Sequence, residues 1–258
     1  MQRMSGNSSE ICRQLESWYL KPGGRYLAEC EKQLVETQLQ QVFGYHLLQV
    51  GITRIHPLAE DTLLNHKIYA AAHSGGDVGL LTEADSLPFP NDSIDVVVLH
   101  HALEFAEDPH ALLREAHRVV APQGQLLILG FNPVSLAGLG RILRRLWPRS
   151  TWRKARPMSF WRLRDWIRLL GAEVMGVNHG WVIPPVGKGR LFRFLSRSDG
   201  ICSRLKLPLG GVYAVRAQKH VSSLTPTRLG WQRKMGARLI GLSVPGAVPS
   251  PREGAFTT

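Results

Sequence analysis

The chain has 258 residues, 44% of them hydrophobic, which suits one domain with tails. A formal charge of +12 and a pI of about 10.2 favour a polyanion or an anionic membrane surface as partner and say nothing about fold. Three cysteines (Cys12, Cys30, Cys202) with no metal-ligand spacing argue against a disulfide framework and for a reducing compartment. With no secretory h-region and no apolar run of the length a membrane helix needs, the expectation is a cytoplasmic protein.

Residues 1–26 read as an irregular lead with one helical piece around Trp18. Tyr26 to Phe43 is an amphipathic helix whose apolar stripe is Leu27, Cys30, Leu34, Leu39 and Val42. LLQVG, Leu47 to Gly51, is a short buried strand ending in glycine, and residues 52–66 should hold the first crossover helix. Ile68 to Ala72 and Val78 to Leu81 give a second and third strand. DVVVL, Asp95 to Leu99, is apolar and β-branched, as a strand buried on both faces should be.

Asp108-Pro109 opens a helix. The carboxylate suits an N-cap and proline the first helical position. Leu112, Leu113, Ala116, Val119 and Val120 then share one face. Ala121-Pro122-Gln123-Gly124 breaks the helix before the strand Gln125 to Phe131. Ser135–Trp147 and Ser159–Leu170 read as helices, the second with Ser159 as N-cap and Gly171 at C′. Val174–Val177 and Val212–Ala217 are the last strands, and residues 220–258 are polar and proline-bearing, as a disordered tail would be. Alternating strands and helices imply an α/β fold with a doubly wound, mostly parallel sheet and right-handed crossovers. Such sheets bind ligands beyond the carboxyl ends of the strands, where strand order reverses.

The stretch from Glu83 to Pro133 carries a linked set of motifs. They are Glu83-Ala84, Leu87-Pro88-Phe89-Pro90, Ser93-Ile94-Asp95-Val96-Val97, Leu103-Glu104-Phe105, Asp108-Pro109, and Arg118-Val119-Val120-Ala121-Pro122-Gln123-Gly124. In this order they resemble class I S-adenosylmethionine-dependent methyltransferases of the small-molecule branch. GFNPVSLAGLGRILRRL, from Gly130, and GGVYAV, from Gly210, resemble a poorly characterised bacterial subgroup of that family. The resemblance implies a seven-stranded Rossmann-like domain over residues 27–219, with a basic helical insertion at 134–170 and an irregular one at 178–209. The last two strands would pair antiparallel at one sheet edge. It implies S-adenosylmethionine as cofactor. Glu83-Ala84 would receive the adenine amino group, and Leu99 and His100 would line the methionine end.

The family's glycine-rich turn, acid-x-G-x-G-x-G, is replaced here by Gln49-Val50-Gly51-Ile52-Thr53-Arg54-Ile55. Gly51 alone survives, and β-branched residues tolerate such a turn poorly. The ribose-binding acid has no counterpart among Ala72, His73 and Ser74. Glu83 also reads as an ordinary solvated loop acid.

His100-His101 is the only paired histidine. Past the end of a strand, His101 is a candidate general base towards a substrate nucleophile, Gly51 and His100 being cofactor residues. The plainer reading is that one of the pair caps or packs beside the Asp108 helix. No cluster has metal spacing, so no metal is expected. Asn132-Pro133 reads as a turn.

Between Arg141 and Arg168 ten cations face Asp165 alone, interleaved with Trp147, Trp152, Trp161 and Trp166. Guanidinium groups neutralise phosphates and aromatics stack on bases or sit at a bilayer interface, so nucleic acid and anionic membrane are both candidate partners. Two amphipathic helices with a solvated basic face would give the same pattern. Two functions follow: methyl transfer to an unidentified substrate, anionic if the basic segment holds it, or a non-catalytic protein of the same fold that binds through its basic face.

Overall fold

The computed structural model describes residues 14–40, 42–51, 58–59, 62–71, 79–82, 85–135, 138, 155–180 and 210–220, all within the compact unit Met1–Ser222. The elements are α1 (14–19), α2 (Pro22–Leu39), β1 (His46–Gly51), β2 (His66–Ala71), β3 (Leu80–Leu81), β4 (Ile94–His100), α3 (Ala102–Phe105), α4 (Pro109–Val119), β5 (Val120–Phe131), α5 (Phe160–Leu169), β6 (Ala172–Gly180) and β7 (Val212–Lys219). The seven strands form one sheet in the order β3-β2-β1-β4-β5-β7-β6. β1, β2, β3, β4 and β5 pair parallel, and β7 runs antiparallel to both β5 and β6. Chain order runs outward one way from β1 and the other way from β4, so the switch point lies between these two strands.

The central strands are apolar on both sides because helices cover both. Val97, Leu99, Leu126 and Ile128 pack with α4 and α5 through Leu112, Leu113, Ala116, Leu163 and Ile167. Val96, Val98, Leu127 and Leu129, one residue out of phase, pack with Val35 and Leu39 of α2. A third cluster, Leu15, Tyr19, Leu27, Ala28, Phe131, Ala155 and Val212, seats α1 and α2 at the carboxyl end of β5.

Element boundaries move for local reasons. The first long helix begins at Pro22, which occupies its first turn, and ends at Leu39 rather than Phe43. The Ala121–Gly124 break ends α4 as expected, yet the chain stays extended, so β5 starts at Val120 with a register irregularity against β4. Asp108 caps α4, its Oδ1 accepting from the N–H groups of His110 (2.9 Å) and Ala111 (3.0 Å), and these bonds, Ala111's foremost, lower its pKa. Gly171 has φ +78, the left-handed C′ geometry read from the sequence. Ser159 takes the N-cap position of α5 without a side-chain capping bond. Asn132-Pro133 is a turn in which Asn132 Oδ1 accepts from Val134 N–H at 3.1 Å. The segments expected to hold the first crossover helix (52–66), the helix Ser135–Trp147, the insertion 178–209 and the tail 220–258 fall largely outside the described residues, and 178–180, where described, belong to β6.

Arg118 fastens the Leu87–Asn91 loop to α4. Its Nη1 donates to Phe89 O (2.9 Å) and Asn91 Oδ1 (2.6 Å), and its Nη2 to Leu87 O (3.1 Å) and Glu115 Oε1 (2.6 Å). Glu115 Oε1 also accepts from Leu87 N–H at 2.9 Å. Also at the amino end of β4, Asp95 Oδ2 accepts from the N–H groups of Tyr45 (2.9 Å) and His46 (2.8 Å), tying the entry of β1 to β4. Two motif residues, Arg118 and Asp95, are therefore structural ties.

Candidate functional site

At the switch point β1 ends in Gly51, which pairs with His100 at the end of β4. Gly51 has φ +116, and a Cβ there would lie 2.2 Å from the His100 carbonyl oxygen. Glycine is thus required both by backbone geometry and by the close approach of two strands. Gln49, in the place of the family's acid, is fully buried. Its Oε1 accepts from Leu58 N–H at 3.3 Å, and its Nε2 has no hydrogen-bond partner among the described residues.

Side chains alternate along β4, so His100 follows Val96 and Val98 towards α2 while Leu99 stays in the opposite core cluster. Leu99's side chain therefore packs in the core rather than at the end of the sheet. His101 then adopts a left-handed backbone (φ 51) and starts α3. That reversal breaks the alternation and turns two successive imidazoles towards one carboxylate, Glu31 of α2. His100 Nε2 lies 3.0 Å from Glu31 Oε2, and His101 Nε2 2.8 Å from Glu31 Oε1. The Tyr19 hydroxyl of α1 donates to the same carboxylate, 3.0 and 3.1 Å from its two oxygens.

His101 Nδ1 faces a second acid, Glu104 Oε2, at 3.1 Å. Glu104 Oε1 accepts from the Phe131 N–H, and the Phe131 ring stacks on His101 with centroids 3.8 Å apart. Glu31, His100, His101 and Glu104 are all within 1% of complete burial.

Ionised groups at such depth persist only when paired. Burial alone would push the His101 imidazolium pKa down; Glu104 and Glu31 outweigh it and raise the value from 6.5 to about 9. Burial likewise pushes Glu31 up, and the charge of His101 with hydrogen bonds from both imidazoles brings it from 4.5 to about 2. Burial, then the Glu104 charge, raises the Tyr213 phenol well above its usual value.

This geometry revises the reading of His101 as a general base. Both ring nitrogens are directed at carboxylate oxygens, and the group holds its proton at neutral pH. It has no lone pair to offer a substrate in this arrangement. Sequence reading missed Glu31 altogether. The available signal was an acid four residues after Leu27, on the buried face of an amphipathic helix. Glu83 and Ala84, the expected adenine contacts, lie outside the described residues, as do Thr53, Ile55 and His73.

Residues 63–128 match the methyltransferase domain family. The uncharacterised protein YafS of Escherichia coli is 32% identical over 169 residues, 66% of this chain and 70% of YafS. The chain belongs to one family with YafS, and its residues 63–128 to the methyltransferase domain family. Within that family it also matches a malonyl-[acyl-carrier protein] O-methyltransferase of Halorhodospira halophila, 43% identical over 51 residues, which are 20% of this chain and 17% of that enzyme. A ubiquinone/menaquinone biosynthesis C-methyltransferase of Shewanella is 31% identical over 86 residues, 33% of this chain and 29% of the enzyme. The chain thus spans less than a third of the length of either enzyme. Among solved structures, an S-adenosylmethionine-dependent methyltransferase of Thermotoga maritima superposes with a TM-score of 0.60 at 20% identity, covering 84% of this chain and all of that one. This likeness is one of fold. Among the described residues no helix is long and apolar enough to cross a membrane.

Proposed function

We propose that the chain is an S-adenosylmethionine-dependent methyltransferase whose cleft opens beyond the carboxyl ends of β1 and β4. The observation that carries this is the switch point between β1 and β4, where β1 ends in Gly51, a residue that its positive φ and the close His100 carbonyl oblige to be glycine. The buried Gln49 Nε2, with no partner among the described residues, is a donor available to an acceptor bound there. A neutral amide and a single glycine thus stand where the family has an acid and three glycines.

The bound cofactor would supply a sulfonium methyl group, transferred by in-line displacement. The chain's own part is positioning. Gly51 admits the ligand to the backbone. Glu83 accepts from the adenine amino group beside Ala84, and the backbone of Leu99 and His100, not their buried side chains, borders the methionine portion. His101, held as an imidazolium between Glu31 and Glu104, is a positioning residue that fixes the turn after β4. The substrate reading is an anionic molecule held by the basic segment 141–168.

A second reading, a non-catalytic binding protein of this fold, draws support from the burial of His100 and His101 beneath α1 and α2. Titration calorimetry with S-adenosylmethionine decides between the two. Binding is expected, and Glu83→Ala should weaken it by about 1–3 kcal/mol, the cost of losing a charged acceptor. No heat and no thermal shift at millimolar cofactor would favour the second reading.

A further inference from the structure

Methyl transfer uses the side chains of Glu31, His100 and His101 only to hold the turn after β4 in place. We propose that these three side chains bind one divalent transition-metal ion of the zinc type, as a closed clasp between α2 and the end of β4. This goes beyond the methyl-transfer reading and does not depend on it.

One donor atom from each of Glu31, His100 and His101 lies within 4.8 Å of the other two, and the two Nε2 atoms face the two Glu31 oxygens at 3.0 and 2.8 Å. Tetrahedral bonds of about 2.0–2.1 Å set ligand atoms about 3.4 Å apart, so small outward shifts admit an ion at their centre. Two imidazole nitrogens and a carboxylate oxygen suit zinc and its neighbours, whereas magnesium and calcium favour oxygen-only sets.

Two features beyond the donor set point the same way. His101 Nδ1 faces Glu104 at 3.1 Å, the carboxylate–histidine pairing that orients a ligating ring and leaves Nε2 for the metal. Glu104 is itself fixed by the Phe131 N–H. The His101 backbone also occupies the left-handed region, where a side chain sits at some cost, and this turn is what brings both Nε2 atoms to one carboxylate. Charge fits as well. Two buried carboxylates with two imidazoles are neutral when two protons are added, and equally neutral when one divalent cation replaces them. Sequence spacing hides the set, because Glu31 lies 69 and 70 residues before its partners.

The test uses the untagged full chain carrying His46→Ala and His66→Ala. Those two imidazoles lie 2.9 Å apart near the surface and are a rival zinc pair. The protein is stripped with chelator, dialysed against zinc chloride, desalted, and analysed for metal and melting temperature. One zinc per chain and a raised melting temperature are expected. Cobalt should give the intense visible bands of a tetrahedral site. Glu31→Gln and His100→Ala should lose the metal, and Glu104→Gln should keep the stoichiometry with affinity reduced roughly 10–100-fold.

Where circular dichroism shows a ligand variant to be unfolded, the parent's cobalt spectrum and the Glu104→Gln affinity carry the decision. Zinc content of the parent no higher than that of folded His100→Ala overturns the proposal. So does an octahedral cobalt spectrum, or an affinity that Glu104→Gln leaves unchanged; the cluster is then a proton-held network only.

Discussion

The His101 imidazole and the Glu31 carboxylate, 70 residues apart in sequence, meet at 2.8 Å in a fully buried site. The contact joins the N-terminal helices to the end of the central strand. Removing one partner of such a pair leaves an uncompensated buried charge, at about 3–5 kcal/mol. Glu31→Ala should therefore lower stability by that order in chemical denaturation. A loss below about 1 kcal/mol would mean that the pair is not formed in solution.

The same pair sets a pH dependence, stated for protein kept in chelator. His101 is raised from 6.5 to about 9, so its contribution is complete below pH 6.5 and is lost as pH rises through 9. Glu31 is lowered from 4.5 to about 2, so its contribution is complete above pH 4.5 and is lost as pH falls through 2. Against His101 stand Glu31 of α2, which also accepts from Tyr19 of α1, His100 of β4, and Glu104 of α3, whose charge also acts on Tyr213 of β7. The melting temperature should peak between pH 4.5 and 6.5 and decline from there to pH 9. In His101→Asn that alkaline decline should largely vanish. A parent whose melting temperature is flat from pH 6.5 to 9 would contradict the assignment.

Gly51→Ala should be severe at a position that touches no bulky side chain. The added Cβ meets a backbone oxygen at 2.2 Å and must adopt φ +116. Positive-φ strain and overpacking each contribute about 1–3 kcal/mol, so a loss of about 2–6 kcal/mol is expected. Urea denaturation measures it, and a neutral outcome would show that the chain does not turn there as described.

The fold was largely legible because strands buried on both faces announce themselves as β-branched runs, and β4 and β5 are such runs. The Asp108-Pro109 cap was legible because its chemistry is local. The site was less so. His100-His101 stood out as a pair, yet its partner Glu31 sits in a helix that the apolar stripe explained without it. Only the left-handed turn at His101 brings the three together, and no local residue preference announces a positive φ at a histidine. Arg118 and Glu104 were visible only as pieces of a motif, and their hydrogen bonds give those pieces physical roles.

Arg118→Lys tests one such role. The lysine keeps the charge but loses the forked donors that hold Phe89 O, Leu87 O and Asn91. The loop that follows Glu83-Ala84 should loosen, with a stability loss of about 1–3 kcal/mol. Affinity for S-adenosylmethionine should fall more than in a surface control such as Arg162→Lys. Equal affinities in the two variants would detach the Leu87–Asn91 loop from cofactor binding.

The basic segment is described from residue 155 onward. In α5, Leu163 and Ile167 face the core, and Trp166 packs against His110 with centroids 3.4 Å apart. Trp161 is 63% exposed, with the Arg164 guanidinium 4.5 Å from its ring centroid. One tryptophan is thus part of the packing and the other is presented to solvent beside a cation. Arg162 and Arg168 are exposed on the same helix. If this face holds a polyanion, affinity for duplex nucleic acid should fall with salt at a log–log slope of about 0.9 per phosphate neutralised. Replacing Arg162, Arg164 and Arg168 by alanine should flatten that slope, with stability changed by only about 0.5 kcal/mol per site. Replacing Arg144, Arg145 and Arg149 tests the rest of the segment in the same way. Anionic vesicles in place of nucleic acid separate a membrane surface from a nucleic acid as the partner. Retention on neither at physiological salt, with both triple variants behaving as the parent, would leave the arginines as the solvated face of their helices.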